Sequence, residues 1–181
     1  MARHFKLTAD GGSRGNPGPA GFGAVVTENG KIVAELFDVI GTATNNVAEY
    51  NGLLAGLSHI NKLDKDATVE VAMDSKLVVE QMSGRWQIKH ADMRDLAKQC
   101  RDAHAPSLVT YSWIPRDENS HADRLANKAL DGESAHKPAA VIQQNYLTDR
   151  LRSAEIPTFI YFIRHGETVL TPTRKFSGTG S

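Results

Sequence analysis

Leu7-Thr-Ala-Asp-Gly-Gly-Ser-Arg-Gly-Asn-Pro-Gly-Pro-Ala-Gly-Phe-Gly-Ala-Val-Val-Thr27 is the stretch from which the fold can be read. His4–Ala9 alternates apolar and polar residues and reads as a strand that runs into Asp10. Asp10–Pro19 holds four Gly and two Pro, the composition of a turn. Ala20–Thr27 reads as a second strand, and Glu28-Asn29-Gly30 carries the Asn-Gly hairpin signal. Lys31–Val39 then reads as a third strand, so the chain opens on an antiparallel meander.

Beyond the meander the period changes. Val47, Tyr50, Leu54 and Leu57 recur at steps of three and four, which predicts a helix over Asn46–Ile60 with those residues on its apolar face. Thr68–Met73 reads as a strand, Lys76–Met82 and Asp92–His104 as helices, and Leu108–Ile114 as the last strand. Ala122, Leu125, Ala126 and Ala129 mark a final helix. Strands first, then strands alternating with helices, predict an α/β fold with a mixed sheet flanked by helices.

The composition narrows the class. The 181 residues carry 21 basic and 21 acidic side chains, 40% apolar and 23% charged residues, which excludes long disorder, a collagen-like chain and the simplest signature of nucleic-acid binding, a strongly basic domain. A lone cysteine, Cys100, cannot form an internal disulfide and reads as a small buried hydrophobe on a helix. No run of about 18 apolar residues is present, and the N-terminus lacks a signal-peptide core. A cytoplasmic protein without membrane association is expected. Residues 1–140 carry 16 Lys and Arg against 18 Asp and Glu, whereas residues 141–181 carry 5 against 3. Asp131–Pro138, at the change, reads as a linker.

Four acids stand where solvated charges are not expected. Asp10 ends a strand before two glycines, Glu49 lies inside the first helix, Asp74 follows the fourth strand, and Asp123 opens the last helix. Each has a plain structural reading. Asp10 can make an Asx turn, Asn46 with Glu49 and Ser120 with Asp123 match capping boxes, and Asp74 before Ser75 can cap a helix. Together they have another: a mixed sheet can bring all four to one rim, where they repel unless cations neutralise them. Hard oxygen donors suit Mg²⁺ or Mn²⁺, and two such ions about 4 Å apart can align the attacking and leaving oxygens of a phosphodiester.

At this point the sequence resembles the ribonuclease H family over residues 3–131. The resemblance rests on Asp10-Gly-Gly-Ser-Arg-Gly-Asn-Pro-Gly-Pro-Ala-Gly-Phe-Gly23, Thr44-Asn-Asn-Val-Ala-Glu49, Met73-Asp-Ser75 and Asn119-Ser-His-Ala-Asp123, in that order. It implies a ribonuclease H-like fold with a five-stranded mixed sheet in the order 3-2-1-4-5. It implies hydrolysis of the RNA strand of an RNA–DNA hybrid, giving 5′-phosphate and 3′-hydroxyl ends, with two Mg²⁺ or Mn²⁺ ions bound alongside substrate. Asp10, Glu49, Asp74 and Asp123 match the family's metal-binding acids. Gly11, Gly12 and Ser13 match the turn that approaches ribose, and the 2′-hydroxyl is what separates RNA from DNA. Asn16, Asn45 and Lys76 match minor-groove contacts, with Lys76 standing where an amide is common. Thr44 matches a residue that holds a DNA phosphate. A monomer is expected.

Two departures follow from the same comparison. Many bacterial members carry a basic insertion, whereas Gly84–His90 takes seven residues here, in keeping with the zero net charge. Trp86, within it, reads as a flank for the DNA strand or as a surface anchor. The loop before Asp123 lacks the family's histidine. His121, Arg116 or Glu118 could take over proton transfer or product release, although a histidine at a helix start is more often structural. His4, His59, His90, His104 and His136 share no metal-ligand spacing.

Pro157–Ile163 reads as a buried strand and leads into Arg164-His165-Gly166-Glu167-Thr168. This is similar to the start of the histidine phosphatase family, in which the histidine is the nucleophile. The second histidine and arginine of that family are absent, so Arg164 and His165 read as an inactive remnant, with Phe159–Ile163 disordered or paired to a borrowed edge. The expected organisation is a ribonuclease H domain over 1–131, a linker over 132–156 and a truncated second domain over 157–181. That pairing resembles the fused ribonuclease H–acid phosphatase proteins of actinobacteria. Two other readings stay open: a silent hybrid-binding module, or a phosphomonoesterase active only in a full-length fusion.

Overall fold

The computed structural model describes residues 3–132. The rest of the linker, the 157–181 segment, Arg164 and His165 lie outside the described residues. The elements are β1 (His4–Ser13), β2 (Gly18–Glu28), β3 (Lys31–Ala43), α1 (Asn45–Leu63), β4 (Thr68–Met73), α2 (Lys76–Met82), α3 (Ala91–Ala103), β5 (Val109–Trp113) and α4 (Ser120–Leu130). The sheet order is β3-β2-β1-β4-β5. β1, β2 and β3 pair antiparallel, and β4 and β5 run parallel to β1, which makes the sheet mixed. No helix among the described residues is long and apolar enough to cross a membrane.

Alternation along β1 places the layers. Successive strand residues point to opposite faces. A Cβ on Gly11 would lie 2.2 Å from the Ala48 carbonyl carbon in α1, whereas one on Gly12 would face Leu130 in α4. Hence α1 and α4 cover opposite faces. The larger core lies on the α1 side, where Phe5, Leu7, Val69, Val71 and Met73 meet Tyr50, Leu53, Leu57 and Ile60. Burying each such side chain stabilises the fold by about 1.5–3 kcal/mol.

Two expectations shift. Asp10–Pro19 does not form one long turn: β1 continues to Ser13 and β2 begins at Gly18, with Gly11 opposite Phe22 and Gly12 opposite Gly21. Glycines read as turn residues serve instead as gaps in the sheet's cover, into which helix backbone presses. The apolar face of α1 is also rotated. Ala48, Tyr50, Gly52, Leu53, Gly56, Leu57 and Ile60 are buried, while Val47 and Leu54 are only half-buried. Gly56 lies against Leu7 and Gly52 against the Asp10 carbonyl, so the helix seats on its small residues, which apolar periodicity ignores.

Candidate active site

Each of the four acids is carried by a different element. Asp10 lies within β1, almost buried, and its Oδ1 accepts from the Gly11 N–H at 2.8 Å. Glu49 lies in the second turn of α1, and its Oε2 accepts from the Ser75 hydroxyl at 2.5 Å. Asp74 follows β4 directly, and its Oδ1 accepts from Asn119 Nδ2 at 2.6 Å. Asp123 lies in the first turn of α4, where its carboxylate accepts from Arg116 at 2.7 Å and from Asn127 at 3.0 Å.

Neither the Asx-turn reading of Asp10 nor the capping readings hold: Asp10 accepts from the very next N–H, Gly11, inside a strand that continues to Ser13. Thr44 caps α1, Ser75 caps α2, and α4 has no side-chain cap. Glu49 and Asp123 are thus released from helix-end duty.

The acids feel one another. Burial first, then Asp74 and Asp123, pushes the Asp10 carboxyl up to about 6. Burial, then Asp10 and Asp74, pushes Glu49 up to about 7, against the hydrogen bond from Ser75. Two carboxyls, one buried and one part-buried, raised first by burial and then by acidic neighbours, mark a concentration of acids at one rim of the sheet. Arg116 is the cation facing it, held charged by its bond to Asp123 and by Asp10 and Asp74.

Asn119 is a residue that sequence reading passed over. Its buried amide donates both to the Ala9 carbonyl at 2.9 Å and to Asp74, bridging the first and fourth strands. Both partners are acceptors, which fixes the amide's orientation, and its own Oδ1 is buried without a donor.

The expected substrate contacts cluster beside the acids. Asn45 Oδ1 accepts from the Ser13 N–H at 2.7 Å and from the Ser13 hydroxyl at 3.0 Å. Asn16 Oδ1 accepts from the Asn45 N–H at 3.3 Å. Asn16 and Thr44 open onto a cleft of about 540 Å³, whose far wall carries His90, Asp92 and Met93 of α3 and its cap. His90 had no signal in its spacing, because its partners are spatial rather than sequential. Lys76 is exposed at the start of α2, one residue past Ser75.

The three candidates for proton transfer separate. His121 turns away from the acids, and its Nε2 pairs with Glu35 of β3. Two residues along a helix turn a side chain most of the way to the opposite face, so a residue two before Asp123 cannot share its outlook. Arg116 sits at the acids, and Glu118 is exposed in the short 3-10 turn Arg116–Asn119.

Among the described residues, no three His, Cys, Asp or Glu side chains stand close enough to hold a metal ion as they are. The donor chemistry nevertheless fits a hard divalent cation: four carboxylates, two of them held against ionisation by burial and by their acidic neighbours. This has a measurable sign. Asp10 and Glu49 bind protons more tightly in the folded than in the unfolded chain. Their contribution is complete below about pH 4 and is lost as pH rises through about 6 and 7. In EDTA the melting temperature is expected to fall between pH 5 and pH 8, and to fall less in Glu49→Gln. Mg²⁺ or Mn²⁺ restores more at pH 8 than at pH 5. A Glu49→Gln profile parallel to wild type would refute the assignment of that shift.

A family model described as reverse transcriptase-like matches residues 8–129. The bifunctional protein Rv2228c of Mycobacterium tuberculosis is 45% identical over 185 residues, covering 97% of this chain and 50% of that protein. The chain thus spans about half the length of the first curated relatives it matches, each covered to 50%. The solved N-terminal RNase H domain of Rv2228c, fused to maltose binding protein, is 51% identical with a TM-score of 0.68, covering 72% of this chain and 96% of that one. LC11-RNase H1, solved in complex with RNA/DNA hybrid, is 37% identical with a TM-score of 0.66, covering 71% and 97%. With the strand order 3-2-1-4-5 and these matches, the chain belongs to the ribonuclease H family.

Proposed function

We propose that this protein hydrolyses the RNA strand of RNA–DNA hybrids, giving 5′-phosphate and 3′-hydroxyl ends, with Asp10, Glu49, Asp74 and Asp123 holding two Mg²⁺ or Mn²⁺ ions. The observation that carries the reading is the electrostatic coupling of acids from four separate elements. Similarity to a ribonuclease H solved with an RNA/DNA hybrid supports the substrate class. Bound divalent ions supply Lewis acidity and a water activated at neutral pH.

The remaining steps fall to the chain itself. Asn16 and Asn45 use their carbonyl oxygens in the protein, so their amide N–H groups are the ones offered outward. Minor-groove base edges present chiefly acceptors, which such donors meet without reading much sequence. Thr44 Oγ1 accepts from the Val47 N–H, leaving its hydroxyl proton for a DNA phosphate. Gly12 and Ser13, part-exposed where buried Gly11 leads out of the core, are offered to a ribose 2′-hydroxyl, and Lys76 adds a cationic donor. Arg116 donates but does not take up protons, so its role is to neutralise charge on the departing phosphate. Glu118 is then the candidate for proton transfer.

The decisive experiment is cleavage of a labelled hybrid in Mg²⁺ and in Mn²⁺, with the product ends identified. Tight hybrid binding without cleavage in either metal would instead favour the silent binding module. Asn119→Ala is expected to cost about 1–3 kcal/mol of stability by unpairing buried groups. It should also lower turnover about 10–100-fold, the scale for partners that orient a metal ligand. Melting and cleavage curves measure both, and wild-type turnover in Asn119→Ala would remove its role in orienting Asp74.

A further inference from the structure

Trp113 ends β5 level with Met73, the residue before Asp74. Its indole N–H donates to the Asp74 main-chain carbonyl at 3.0 Å, yet the residue is 52% exposed. Val109 and Tyr111, on the same face of β5, are partly buried against the core. The exposure therefore begins where the strand draws level with the acids. A tryptophan that fills a core is covered, and one stranded at the surface is free to turn. Here the polar edge is fixed and the apolar ring surface is left open.

We propose that the ring of Trp113 packs against a ribose or base of the RNA strand, next to the phosphodiester positioned over Asp10, Glu49, Asp74 and Asp123. The inference rests on the hybrid-hydrolysis reading and adds a contact to it. Asp74 serves twice, its carboxylate in the acid cluster and its carbonyl on the indole. Consecutive nucleotides of one strand advance about 3.4 Å along the duplex axis, so the ring lies within a nucleotide or two of the cluster. The sheet order selects the strand. The cleft of Asn16 and Thr44, assigned to DNA, opens beside β2, β3 and α1, whereas β5 is the opposite edge of the sheet, beyond β4. A hybrid laid across the acids presents one strand to the cleft and the other to Trp113. Every base has a π-face, so such packing suits an enzyme that does not select sequence.

The test uses the full chain. Trp113 is the sole tryptophan in the Trp86→Phe, Glu49→Gln double variant. A fluorescently labelled hybrid is titrated in Mn²⁺, with anisotropy reporting binding and indole emission reporting contact. Saturable quenching of the emission that follows the anisotropy curve is expected. Binding with unchanged emission overturns the inference and leaves the hydrolysis reading standing.

Kinetics of single variants supply a second measure. Trp113→Ala is expected to raise KM roughly five- to a hundred-fold, the range for losing one stacked base, with kcat changed little. Trp113→Phe keeps a ring but loses the N–H, and should stay near the wild-type KM. A loss confined to kcat, or equal in both variants, is the behaviour of a tie that merely positions Asp74, and overturns the inference. If wild-type protein neither binds nor cleaves the hybrid, the hydrolysis reading and the inference fall together.

Discussion

Asp10→Asn and Asp74→Asn are expected to reduce hybrid cleavage by at least about a thousandfold, at or beyond the 10²–10³ cost of removing one preorganised charge-stabilising group. The substitutions are nearly isosteric. Asn keeps an oxygen for the Gly11 N–H in the first case and for the Asn119 amide in the second. At Asp10 what disappears is negative charge in a place where burial and neighbouring acids already oppose it. The same reasoning gives stability the opposite sign. Without metal at pH 8, Asp10→Asn should melt higher than wild type, since it removes an unfavourable buried charge. Inactive but sturdier protein is the signature of a site held at the expense of the fold. Melting curves in EDTA and hybrid cleavage in Mn²⁺ measure the two halves. Wild-type cleavage by both variants would remove these acids from the site.

The second large effect comes from a residue with no side chain. Gly11→Ala would place its methyl 2.2 Å from both the Ala48 carbonyl carbon and the Glu49 nitrogen. Those are backbone atoms of α1, so no rotamer change relieves the clash. The helix must withdraw, and Glu49 goes with it. Overpacking costs about 1–3 kcal/mol, occasionally more, and a contact this short with backbone lies at or above the top of that range. A fall of roughly ten degrees in melting temperature is expected, at about 2–4 °C per kcal/mol for a chain of this size. Activity should be lost in whatever protein still folds. Gly30→Ala is the control: its Cβ meets nothing within 4 Å, and the strain is that of a positive φ of 74°. It should cost about 1–2 kcal/mol and leave cleavage intact. Equal melting of Gly11→Ala and wild type would refute the packing argument.

Much of this architecture was legible in the residues. β4 and α2 begin and end where their apolar patterns do, because Asp74-Ser75 closes one and opens the other. Asp74 and Asp123 stood out because they sit at a strand end and a helix start, whereas Asp10 lies three residues inside a strand whose sequence alternation stops there. What stayed illegible depends on three-dimensional neighbours. The true face of α1 is set by Gly52 and Gly56, which carry no hydrophobic signal. His121 pairs with Glu35, and Asn119 bonds Ala9, across 86 and 110 residues respectively. The indole of Trp113 finds its acceptor 39 residues back, just past the end of the neighbouring strand. No window of local sequence contains these partners.

The Asn119 bridge has a consequence for the order in which the protein is made. Its amide joins Ala9, near the start of the chain, to Asp74, near the middle, and the segment that carries it also delivers Asp123. A ribosome that has released β1 through α3 has produced most of the hydrophobic core but no bridge and only three of the four acids. Such a nascent chain can collapse and pair β4 with β1, yet the Asp74 carboxylate still lacks the amide that orients it. Long-range pairing of this kind forms late. Under the proposed hydrolysis, a chain that stops before α4 lacks both the bridge and Asp123 and is expected to cleave no hybrid.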